Sequence, residues 1–165
     1  MTPKPATRVP SQALVHPDVA DLCLGAQLVL CAARSWAARN LAMRGLGAGE
    51  TDLAPSPCTV FRCGGVTQEA YGAFAAVLSL LGAVGRGPPD FRHLHDRTLS
   101  GDEEGLIDAI AALQHGAPWR AQRMLSGWFD PAAVPRAVAL LAVTAEGLSA
   151  AGHRLGEVEM LPTLH

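Results

Sequence analysis

The sequence predicts an all-α fold: a single-domain bundle of about five helices with a long, central first helix. Three observations carry that expectation. The chain has 165 residues, 49% of them hydrophobic and 17% charged, which suits one compact domain with a core of its own. Its apolar residues recur at helical spacing, and no stretch shows the strict alternation of a half-buried strand. Glycine and proline cluster between those stretches and divide the chain into helix-length pieces.

Residues 1–15 contain Pro3, Pro5 and Pro10 and read as a mobile leader ahead of a domain at 16–152. Lys4 and Arg8 are followed by no apolar run, so the leader does not resemble a secretory signal. Pro17 suits the first turn of a helix, with Asp18 and Asp21 near its positive end. No breaker follows before Gly45, so the first helix is expected over 17–44. Asp18, Asp21, Ser35 and Arg39 fall on one narrow strip of its wheel. The remaining circumference is mostly apolar, as in a helix with neighbours on several sides.

Gly45, Gly47, Gly49, Pro55, Pro57, Gly64 and Gly65 mark residues 45–65 as a loop, with room for a short strand or turn at Cys58 to Arg62. The second helix is expected over 67–84. Tyr71, Phe74, Val77, Leu78, Leu81 and Val84 form a large face; Gly72, Ala75, Ala76, Ser79, Gly82 and Ala83 form a small one. A small face lets another backbone approach closely, either in a tight internal crossing or on a self-association surface.

A second loop, 85–99, contains Pro88 and Pro89. Ser100-x-x-Glu103 is a capping box that opens the third helix, whose stripe is Leu106, Ile110 and Leu113 and which Gly116 ends. Pro118 opens the fourth, with Ala121, Leu125 and Trp128 inward. Asp130 and Pro131 form a cap and first-turn pair for the fifth. Pro135 lies late for that first turn and moves the start to Val134, with Val138, Leu141, Ala145 and Leu148 continuing the stripe. Gly152 ends it, and residues 153–165 are expected to be irregular. Short links between the last three helices make them antiparallel neighbours.

Composition excludes several function classes. A formal net charge of −2 argues against a protein devoted to nucleic acid. The two longest apolar stretches fall short of the roughly 20 residues a membrane span requires. Four cysteines in a chain that needs no bridges, without a secretory signal, point to free thiols in a reducing cytoplasm.

Motif chemistry is sparse. No phosphate-cradling P-loop, G-x-S-x-G, H-E-x-x-H or C-x-x-C occurs, and no glutamate has histidine three residues later, the pair that di-iron bundles use. Gly45-Leu46-Gly47-Ala48-Gly49 departs from a dinucleotide fingerprint, because Glu50 stands where the last glycine belongs and a helix precedes the run. No cofactor is therefore expected. Cys58, Cys63, His93 and His95 supply four zinc-type ligands. A helix about 27 Å long at 1.5 Å per residue separates the two pairs, which works against their meeting.

Other candidates rest on charge and position. Cys63, beside Arg62 and near the expected start of the second helix, is a reactive-thiol candidate; Cys23 and Cys31 read as small hydrophobes of the first helix. Arg34 lies off the polar strip, where it either snorkels to solvent or pairs with one of Asp102, Glu103, Glu104 and Asp108. Arg86, Arg92 and Arg97 make a basic loop able to take a small anion, such as a phosphate or carboxylate. Trp119 and Arg123, four apart, make a typical interface pair.

These readings lead to a non-enzymatic interaction or regulatory module that self-associates, with Gly72, Ala76, Ser79 and Ala83, Trp119 with Arg123, and the basic loop as its contacts. The alternative is a small-molecule or metal-binding protein, or an enzyme, built on Cys58, Cys63, His93, His95 and Arg34.

Overall fold

The computed structural model describes residues 18–43 and 55–156. The expected leader, Pro17, residues 44–54 with the glycine run of the first loop, and residues 157–165 of the tail lie outside these residues. Among the described residues the fold is all-α and contains six helices: α1 (Leu24–Met43), α2 (Pro57–Cys63), α3 (Gln68–Val84), α4 (Gly101–Gln114), α5 (Pro118–Leu125) and α6 (Val134–Ala150).

The sixth helix is α2, where a loop with a turn was expected. Ser56 accepts a hydrogen bond from the Thr59 amide, Pro57 occupies the first turn, and Gly65 leaves the helix at φ +73°. Buried Val60 and Phe61 hold this short helix, which packs between α1 and the start of α3. Seven residues are too few for a helix to persist on propensity alone, so packing decides its existence.

The first helix also begins later than expected. Asp18 turns its carboxylate back on the Ala20 amide and caps a 3-10 turn, Val19–Asp21. Leu22 is extended, and α1 starts at Leu24. An aspartate that bonds its own downstream backbone competes with helix continuation. Asp18 is also drawn away by the second loop: the Val19 amide donates to the Arg97 carbonyl, and Asp18 bridges Thr98.

The long first helix is not the centre. The centre is α6 with α4: α6 packs on α3, α4 and α5, while α4 also meets α5 and α1. α1 lies to one side, against α2 and α4. Its strip also differs from the wheel, since Ser35 is fully buried while Arg39 is exposed.

Thr67 caps α3 through the Ala70 amide, and its large face behaves as expected at Phe74, Val77, Leu78 and Leu81, all buried. Tyr71 is half-buried, and Val84 is 45% exposed at the last turn. The tight crossing is elsewhere than on the small face. It lies where α6 meets α3: a Cβ at Gly147 would collide with the Cβ of Ala70, and Thr144 Oγ1 donates to the Ala70 carbonyl at 3.3 Å.

The capping box of α4 is present in both directions, and Gly116 adopts φ +71° past its end. α6 begins at Val134 with Pro135 in its first turn, while Asp130 closes a preceding turn through its carbonyl. Of the expected stripes, Leu113, Trp128 and Val138 are half-buried and the rest buried.

The chain after α6 is irregular, as expected, but it is built into the core. Gly152 turns at φ +83°, and Leu155 is fully buried. Gln114 on α4 clasps this strap by donating to the His153 carbonyl at 2.8 Å and accepting from the Leu155 amide at 2.8 Å. His153 Nε2 donates to the Gly64 carbonyl at 2.7 Å, so the strap ties α2 to α4 and α6.

Candidate functional site

The most developed polar constellation joins α1, the second loop and α4. Arg34 is 2% exposed and Glu103 is fully buried. The guanidinium grips the carboxylate with two bonds, Nε to Oε1 at 2.7 Å and NH2 to Oε2 at 2.9 Å. Two further donors reach the carbonyls of Asp96, at 2.6 Å, and Thr98, at 3.0 Å. Glu103 in turn accepts from the Arg92 amide at 2.9 Å and the Ser100 amide at 3.0 Å. Two buried charges thus satisfy four backbone groups of the loop and of the α4 cap. A carboxylate with four donors and a forked guanidinium is a closed structural knot. Every acceptor position of the Glu103 carboxylate is used, and both side chains are shut away from solvent.

Asp102 extends the knot outward, accepting from the Asp90 amide at 2.7 Å and from Trp128 Nε1 at 2.9 Å. Ser100 Oγ donates to the Asp90 carbonyl. The loop at 85–99 is therefore pinned at Asp90, Arg92, Asp96 and Thr98 by the first turn of α4 and by Arg34.

That pinning disperses the basic cluster. Arg86 lies 3.5 Å from Asp130, Arg97 lies 3.0 Å from Asp18, and Arg92 donates to Thr98 Oγ1 at 2.9 Å. The three arginines thus each have a partner of their own within the chain. The metal constellation does not assemble either: among the described residues no three of His, Cys, Asp and Glu are placed to hold an ion. Cys58 and Cys63 ride on α2, whereas the loop of His93 and His95 is held to α4, beyond the far end of α3.

All four cysteines are free thiols. Cys63 is the last residue of α2, not the neighbour of an N-terminus: Gly64 to Thr67 separate it from α3. The helix-terminus part of its candidacy therefore falls, since a helix's C-terminal end carries the partial negative charge, while Arg62 remains its neighbour in the last turn. Cys23 is exposed rather than packed, with Sγ 3.6 Å from the Arg154 carbonyl. Cys31 is half-buried; burial pushes its thiol up, against the smaller downward pull of the Ser35 hydroxyl and the Arg34 charge.

The interaction candidates stand differently. Gly72, Ser79, Gly82 and Ala83 are exposed along α3, with Ala75 and Ala76 half-buried beside them. A Cβ at Gly72 would meet nothing within 4 Å; at Gly82 it would touch only the Trp36 ring, at 3.8 Å. Among the described residues, most of the small face is therefore exposed. Trp119 is 64% exposed, and Arg123 is exposed one turn on. A further feature, unmarked in the sequence reading, is an open groove of about 190 Å³ between α4 and α5, lined by Gly101, Gly105, Met124, Leu125 and Trp128. Its signal was the Gly101-x-x-x-Gly105 spacing, which bares one edge of α4.

No helix among the described residues is long and apolar enough to cross a membrane. Comparison with protein-family models, with curated proteins and with solved structures returns no match.

Proposed function

We propose that the protein is a non-enzymatic interaction module of the cytoplasm that self-associates through the open face of α3. The observation that carries this reading is the stripe Gly72, Ala76, Ser79 and Ala83. It steps by four, three and four residues, the spacing of a two-helix seam, and among the described residues Gly72, Ser79 and Ala83 are exposed with Ala76 half-buried between them. Side chains this small bring two helix axes to the close end of the roughly 8–10 Å range.

The stripe is also matched to itself in reverse. A two-fold axis crossing α3 midway between Ala76 and Ser79 sets Ala76 of one copy against Ser79 of the other, and Gly72 against Ala83. By sequence position it also relates exposed Glu69, in the first turn, to exposed Arg86, which follows the extended Gly85 and lies 3.5 Å from Asp130 of its own chain. A two-fold interface needs such self-complementarity. The cross-copy pairs are rim charges that align the copies more than they strengthen the contact. Trp119 with Arg123 offers a second, separate contact for a protein partner.

Light scattering on the separated protein tests the proposal. A mass of twice the 17.2 kDa chain is expected. Ala76→Arg should return it to one chain mass with an unchanged far-ultraviolet dichroism spectrum. A wild-type protein that stays at one chain mass at millimolar concentration removes the proposal.

A further inference from the structure

We draw no further inference here: the strongest candidate, the open groove between α4 and α5 walled by Met124 and Trp128 over Gly101 and Gly105, carries nothing because nothing in the structure shows what covers it.

Discussion

Arg34 and Glu103, 69 positions apart in sequence, form a forked ion pair that is inaccessible to solvent and hydrogen-bonds four backbone groups besides. Isolated buried ion pairs gain little over well-packed apolar replacements, because desolvation offsets their attraction. Here the pair has a second task that apolar side chains cannot take over. The Asp96 and Thr98 carbonyls and the Arg92 and Ser100 amides would each lose a partner.

Arg34→Met is accordingly expected to cost about 3–5 kcal/mol in denaturant titration, since it strands the Glu103 carboxylate. The double variant Arg34→Met with Glu103→Leu should recover only part of that, and remain at least about 2 kcal/mol below wild type because the backbone groups stay unmet. Amide exchange should accelerate at residues 90–99 in both. A double variant as stable as wild type would show that the loop does not depend on the pair.

Two glycines of helix interiors should respond in opposite directions to the same substitution. Gly72→Ala adds a methyl to open space and relieves the helix penalty of glycine, a gain of about 0.5–1 kcal/mol in the isolated chain. Gly147→Ala drives a methyl into Ala70, and overpacking of this kind costs about 1–3 kcal/mol. Thermal melts of the two variants at low protein concentration check the pair, and equal shifts would contradict the α3–α6 crossing.

The strap after α6 should matter more than the large exposed aromatic. Leu155→Ala is expected to cost about 2–5 kcal/mol, the range for emptying a buried leucine site. Trp119→Ala, at a residue 64% exposed, should stay within about 0.5 kcal/mol for the single chain. Urea midpoints measured side by side decide it, and a larger loss at Trp119 than at Leu155 would invert the assignment.

Cys31 links stability to alkaline pH. Its thiol is raised in the folded chain, so over the interval between the unfolded and folded values the native state holds the proton that the unfolded state gives up. Stability contributed by this site is then complete below the ordinary thiol range and is lost as pH climbs through it. Chemical denaturation at neutral and at alkaline pH, compared between wild type and Cys31→Ala, should show the smaller alkaline loss in the variant. At neutral pH a thiol-specific reagent should modify exposed Cys23 and Cys63 before Cys31.

A change of charge sign tests the proposed register. Glu69→Arg alone should weaken self-association, and Glu69→Arg with Arg86→Glu should restore it toward wild type by returning opposite charges to facing positions. Sedimentation at low salt reads the difference; a double variant as weak as the single one would rule out that register.

Much of the architecture was legible along the chain. Thr67, the Ser100–Glu103 box, Pro118, Gly116, Val134 and Gly152 all mark helix boundaries that the fold uses, because caps and breakers act within a few residues of themselves. The burial of Phe74, Val77, Leu78, Ile110, Leu141 and Leu148 was equally readable from helical spacing. For Arg34 the sequence left two outcomes open, snorkelling to solvent or pairing with one of four acids on one helix; burial with Glu103 excludes the first.

What the sequence by itself determined, then, is an all-α chain, where most helices begin and end, and which stripes are apolar. Tertiary structure alone decided the rest. It made a helix of Pro57–Cys63, moved the centre from α1 to α4 and α6, chose Glu103 for Arg34, and separated the cysteines from the histidines. Among the described residues it also exposed most of the small face of α3 while closing the crossing at Gly147 and Ala70. The division has one physical cause: capping and periodicity are set by residues a turn apart, whereas burial and ion pairing depend on which distant helix arrives, and on which face.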